Sequence, residues 1–178
     1  LAYGLTSNLT LDGTINPDFS QIEADAGQIV VNERFALFLR EQRPFFLEGA
    51  DIFSMPKQLV YTRSIVNPVG AVKVSGKVGA FNVAYLGAVD EVNAGTSNPM
   101  VNLLRVKRDM GQSSTIGAVY TDRTERGIDF NRVFGADAQL VLGGRYRINL
   151  LAAGSADGAS GAATDWGSMV TASVSRAS

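Results

Sequence analysis

Apolar and polar residues alternate along most of the chain. Tyr3, Leu5, Leu9, Leu11 and Ile15 share one parity, and Thr6, Asn8, Thr10, Asp12 and Thr14 share the other. That period of two places successive side chains on opposite faces of a β-strand. Asn16-Pro17-Asp18 then supplies a turn, because proline fixes φ and has no N–H to give a ladder. A less regular second strand is expected through Val31. The pattern resumes at Val69: Val72, Val74 and Val78 oppose Lys73, Ser75 and Lys77, then Phe81, Val83, Tyr85 and Val89 oppose Asn82, Ala84 and Asp90, with a hairpin turn at Gly79-Ala80. Further strands are expected over residues 101–109, 114–121, 134–142, 146–152 and 169–175.

The connections sharpen this picture. Short turns at Gly79-Ala80, at residues 110–112 and at Gly143-Gly144 alternate with longer connections at 92–100, 122–129 and 154–166. Alternate connections of an up-and-down meander lie at opposite ends of the sheet, so one end carries tight turns and the other long loops, as in transmembrane barrels. Strands of ~9–11 residues suit a tilted crossing of the hydrocarbon layer. The competing reading is a soluble sandwich or barrel with one buried face. Three features favour the membrane. The polar parity is rich in Thr, Ser, Asn and Gly rather than Lys and Glu. The strands exceed the ~5–6 residues common in soluble sheets. A regular meander leaves open edges unless it closes, and lipid demands closure because each unpaired backbone group costs several kcal/mol there.

Residues 33–56 break the pattern. Phe35, Phe38 and Leu39 stand at helical spacing, and Pro44 is expected to stop that short amphipathic helix. The residues after it crowd Phe45, Phe46 and Phe53 against Arg43, Glu48 and Asp51, a mixture that suits a packed irregular insertion. Its length falls where the short–long rhythm calls for a short turn, so no membrane side is assigned to it.

Composition removes several classes of function. Sixteen basic residues balance 17 acidic ones for a net charge of −1, so nothing points to nucleic acid as a partner. There is no cysteine and no histidine, which excludes thiol and imidazole chemistry and the usual zinc sites. No cofactor is implied. No run of about 18 apolar residues exists to form a spanning helix. The 178 residues read as a single unit, 1–178. The start at Leu1 lacks the marks of a secretion signal, and both ends alternate like strands, so the sequence is expected to be an excerpt of a longer chain.

Candidate chemistry rests on carboxylates and cations. Glu23 and Asp25 with Glu48 and Asp51 could form a carboxylate pair for glycoside hydrolysis, or a calcium site. The plainer alternative, and the favoured one, is a plug-like network in the lumen: Glu23, Asp25, Glu48 and Asp51 pair with Arg34, Arg40, Arg43 or Arg63 and with backbone amides. Arg105, Lys107, Arg145 and Arg147 are candidates for lining a pore selective for anions. Alternatively they sit at aqueous rims or cross-pair with Asp109 and Asp137. Tyr3, Tyr85, Tyr120, Tyr146 and Trp166 either join interfacial aromatic girdles or pack ordinarily. Neither a Walker loop nor an EF-hand spacing is present.

Three stretches carry a resemblance: Leu5-Thr6-Ser7-Asn8-Leu9-Thr10-Leu11; Asn16-Pro17-Asp18-Phe19-Ser20-Gln21-Ile22-Glu23-Ala24-Asp25; and Arg43-Pro44-Phe45-Phe46-Leu47-Glu48-Gly49-Ala50-Asp51-Ile52-Phe53, with Tyr61-Thr62-Arg63-Ser64-Ile65 as a weaker fourth. In these the chain resembles bacterial outer-membrane proteins of uncharacterised function whose barrel follows a module similar to family-9 carbohydrate-binding domains. The resemblance implies an upstream glycan-binding module, outer-membrane lipid as partner, a bacterial outer-membrane location and further strands beyond Ser178. It supplies no catalytic residues. The expectation is therefore an all-β antiparallel meander of about eight to ten strands with one helical insertion, part of a transmembrane barrel acting as anchor or channel. A carbohydrate-active hydrolase using the carboxylates of residues 18–51, and a soluble carbohydrate-binding sandwich, are the alternatives.

Overall fold

The computed structural model describes residues 1–17, 40–91, 98–111, 113–125 and 129–176. Among these, strands β1 (Ala2–Thr6), β2 (Leu9–Ile15), β3 (Pro68–Val78), β4 (Phe81–Asp90), β5 (Met100–Met110), β6 (Ser114–Glu125), β7 (Asp129–Leu142), β8 (Tyr146–Gly158) and β9 (Asp165–Arg176) form one sheet in chain order. Every neighbouring pair is antiparallel. The fold is the all-β meander that the alternation predicts. It is open among the described residues, since β1 and β9 each pair on one side only.

The opening segment differs from expectation: it is a hairpin, not one strand. Tyr3 pairs with Leu11 and Gly4 with Thr10, and a bulge then brings Thr6 opposite Leu9. A turn that sets odd residues opposite odd residues keeps them on one face, so the hairpin has the same alternation as an unbroken strand. No glycine or proline marks the turn at Ser7 and Asn8. The extra turn also resolves the insertion's position, because residues 16–67 now join β2 to β3 at the end of the sheet opposite the tight turns.

The expected rhythm of loop lengths holds only in part. β6 continues to Glu125 and β7 begins at Asp129, so their connection is as short as the tight turns. β8 likewise runs on to Gly158, leaving 159–164 as the connection to β9. The tight turns themselves are built as glycine permits, with Gly79, Gly111, Gly143 and Gly144 at φ of 62°, 62°, 57° and 66°.

Within the insertion, a single-turn helix α1 (Pro44–Leu47) and 3-10 turns at Ala50–Phe53 and Thr62–Ser64 are the regular pieces described. Pro44 opens α1, a position where its missing N–H costs nothing. The helix expected from Phe35, Phe38 and Leu39, and the strand expected through Val31, lie outside the described residues.

The insertion packs on one face of the sheet. Phe46, Val60 and Ile65 bury against Ala71, Leu86, Ala88, Val101, Leu103 and Val119, with Phe45, Phe53, Met55 and Leu59 at the margin. This face is called inner below, and the opposite face outer.

Candidate functional site

The inner face is where the charge lies. An irregular segment leaves backbone carbonyls without ladder partners, and buried carbonyls need donors. Cations of the sheet supply them. Lys73 on β3 donates from Nζ to Phe45 O at 2.7 Å and to Glu48 O at 2.9 Å, at the C-terminal end of α1. Arg105 on β5 donates from Nε to Ile52 O at 3.2 Å, and Arg123 on β6 donates to Ser64 O at 3.2 Å. Asp90 on β4 plays the converse part, accepting from the amides of Val66 and Asn67 at 3.1 and 2.7 Å.

Arg105 is fully buried and also forks onto both carboxylate oxygens of Asp137 on β7. Reaching β7 from β5 means crossing β6, and Gly117 makes the passage: a Cβ there would stand 2.7 Å from the guanidinium. Gly135 on β7 does the same for Leu59 of the insertion, whose Cδ1 would lie 2.7 Å from a Cβ. Strand-interior glycines mark close approach in this way.

Inside the insertion, Arg43 is 2% exposed and ties Glu41 to residues 62–65. Its guanidinium donates to Ile65 O at 2.6 Å, to Thr62 O at 3.0 Å and to both oxygens of Glu41 at 2.8 Å, and it stacks 4.2 Å from the Phe46 ring centroid. Thr62 adds a 2.6 Å hydrogen bond to Glu41. Burial works to raise the Glu41 pKa, but the hydrogen bonds from Arg43 and Thr62 outweigh it and hold the carboxyl at about 2.

The residues singled out from sequence divide. Glu23 and Asp25 lie outside the described residues. Glu48 is 75% exposed at the side chain, with an oxygen 4.0 Å from Lys73 Nζ, and Asp51 is exposed at the first 3-10 turn. Arg63 reaches Arg40 O at 3.3 Å. Arg43 is thus the one member of the expected network that the described structure builds into the core of the insertion, and its partner is Glu41. Among the described residues no cluster of acidic side chains is placed to hold a metal ion.

Of the cations proposed for a pore, Arg105 is neutralised by Asp137. Lys107 and Arg147 lie on the inner face, half-buried and exposed respectively, and Arg145 is in the exposed turn before β8. Sequence reasoning passed over Lys73, Glu41, Asp90 and Gly117. Lys73 and Asp90 read as ordinary members of a polar parity. Glycine in mid-strand at 117 and 135 was the signal available.

The outer face has the opposite chemistry. One register row carries Tyr3, Leu11, Val74, Tyr85, Leu104, Tyr120 and Phe134. The next carries Val83, Val106, Ala118, Ala136, Ala152 and Val170. Val170 is 80% exposed and Trp166 is 74% exposed. Two shallow apolar grooves of about 550 Å³ each run along this face. The charges on it sit toward strand ends: Arg108 stacks on Phe81 near the tight turns, and Arg132 pairs with Asp122 at 2.9 Å near the other end. Between them the outward positions from Phe134 to Leu142 on β7 carry no charge over ~27 Å, at ~3.4 Å per residue. Of the five aromatics, Tyr3, Tyr85, Tyr146 and Trp166 are exposed on this face, and Tyr120 stacks on Phe134 with centroids 4.8 Å apart.

These features define a class: an antiparallel up-and-down sheet whose charged face is filled by an insertion of its own chain and whose apolar face is bare. The family model described as "Domain of unknown function (DUF5916)" matches residues 1–94, just over half of the chain, and the chain belongs to that family. No curated protein and no solved structure matches it.

Proposed function

We propose that this domain is part of the wall of a transmembrane β-barrel in a bacterial outer membrane, with the outer face against lipid and the insertion as an internal plug. The observation that carries the reading is the inversion of faces. A sheet folded for water puts its charges outside, and this one spends them on the insertion and leaves an uncharged band exposed. At the ~35–45° tilt of barrel strands the length of that band spans about 19–22 Å, a little under the ~25 Å apolar belt of outer-membrane barrels. An open sheet cannot stand in lipid, so β1 and β9 pair with further strands.

On this reading the domain serves as an anchor more than a conduit, because the plug is held to the sheet by charge-assisted hydrogen bonds. The resemblance carried by residues 16–25 and 43–53 makes a glycan-binding module the natural cargo of the anchor. The bare apolar face and its grooves favour one other reading, a soluble protein in which a second layer covers that face. Fractionation of the full-length parent protein, with the shift of its gel migration on boiling, separates the two. Membrane residence and a heat-dependent shift support the barrel, whereas a soluble, unshifted protein refutes it. Val170→Arg adds a check on the bare face alone: a cost of ~2–4 kcal/mol is expected where the side chain meets the bilayer midplane, and a cost within ~0.5 kcal/mol would put it in water and refute lipid contact.

A further inference from the structure

A second polar site lies beside the plug, toward the tight-turn end of the inner face. Register sets Thr115, Gln139 and Asn149 side by side on β6, β7 and β8. Lys107 on β5 rises beside this floor, and residues 54–56 of the insertion roof it, enclosing about 210 Å³. Among the described residues the side chains of Lys107, Thr115 and Gln139 make no hydrogen bond, and Asn149 spends only one amide hydrogen, on Ser173 at 3.3 Å. Asp109, in the same register row as the floor, is already held by Lys77 and Asn82 at 3.0 Å each. Asp137 also lines the pocket, but its carboxylate is neutralised by the fork of Arg105.

We infer that this pocket binds a small hydroxyl-rich anion of the hexuronate type. Amide and hydroxyl side chains that each donate and accept match sugar hydroxyls, which do both. Met55 and Pro56 offer an apolar wall to the C–H face of a ring. Lys107 is the charge in the pocket without an ion-pair partner among the described residues, and it selects a carboxylate. The volume lies below the ~300 Å³ at which drug-sized sites begin, so the pocket takes one ring. This inference stands on inner-face geometry alone and does not require the outer face to meet lipid.

The test is calorimetric or saturation-transfer titration of the full chain with glucuronate and with glucose, in whichever solvent keeps it monodisperse. Saturable glucuronate binding, with glucose weaker by about fivefold or more, is the expected result. Lys107→Met should abolish that preference, and Gln139→Leu should weaken both sugars about tenfold. Because the Lys107 ammonium makes no hydrogen bond or ion pair among the described residues, its variant should keep the parent melting temperature. If it does not, Lys107→Gln is used in its stead. Absence of saturable glucuronate binding up to about 50 mM, or a preference unchanged in the Lys107 variant, overturns the inference.

Discussion

Removing the Asp137 carboxylate should be among the most damaging single changes available to this domain. The Arg105 and Asp137 side chains are 0% and 4% exposed, so Asp137→Ala strands a guanidinium away from water with Ile52 O as its remaining acceptor. Breaking a buried pair from one side costs ~3–5 kcal/mol, since the surviving charge keeps its desolvation penalty without its partner. Replacing both ends by apolar groups, Arg105→Met with Asp137→Leu, removes that penalty and should recover most of the loss. The two single changes should therefore be non-additive by about 3 kcal/mol. Gly117 adds an internal control. Gly117→Ala places a Cβ 2.7 Å from the Arg105 guanidinium, which its three hydrogen bonds prevent from swinging aside. It should destabilise the parent and be nearly silent in the Arg105→Met background. Urea unfolding of the folded protein, followed by Trp166 fluorescence, reads all of these. With a slope of ~1–3 kcal/mol per molar, Asp137→Ala should lower the midpoint by at least about 1 M. A loss under about 1 kcal/mol for Asp137→Ala, or additive single changes, would refute the view that this pair is sealed from water.

Three further outcomes follow from the insertion. Glu41 has a folded pKa of about 2, below its ordinary value of 4.5, so its contribution is fully present above about pH 5 and is lost as the pH falls toward 2. Discounted for partial solvation this is about 1–2 kcal/mol, and Glu41→Gln should flatten the acid limb of the stability profile. Lys73→Met removes both donors to the end of α1, and hydrogen exchange at residues 44–53 should quicken at least tenfold while β6 to β8 keep their protection. Gly135→Ala should cost ~1–3 kcal/mol by crowding Leu59 and Val119, which lie 2.7 and 2.9 Å from the added Cβ, and Leu59→Ala should relieve part of that cost; equal costs in both backgrounds would show that Leu59 does not sit over the glycine.

The strands after residue 68 were legible because each alternates over about seven residues or more and each tight turn from Gly79 onward carries glycine. The opening hairpin was hidden by its own register, which conserves parity through a turn without glycine. Strand ends were missed at β6 and β7 because their outward positions there are polar: Asp122 and Arg132 interrupt the apolar parity, yet they pair across the sheet and let the ladder continue. The site was less legible still. A lysine such as Lys73 looks solvated in any alternating strand, and only a packed neighbour reveals that its charge is turned inward. What the sequence did offer was composition: glycine at 117 and 135 inside strands, where β-branched residues are otherwise preferred.

The chemistry of the two faces then follows from one constraint. Buried backbone outside a ladder must find its hydrogen-bond partners elsewhere in the protein or in water. An insertion with one helical turn and two 3-10 turns among its described residues brings many unpaired carbonyls. Lys73, Arg105 and Arg123 answer them from the sheet, and Arg43 from within. Cations committed in this way are poor selectivity elements, because moving one uncovers a carbonyl as well as a charge. Lys107 and Arg147 carry no such duty among the described residues, so on the inner face they are the cations left free to meet a solute.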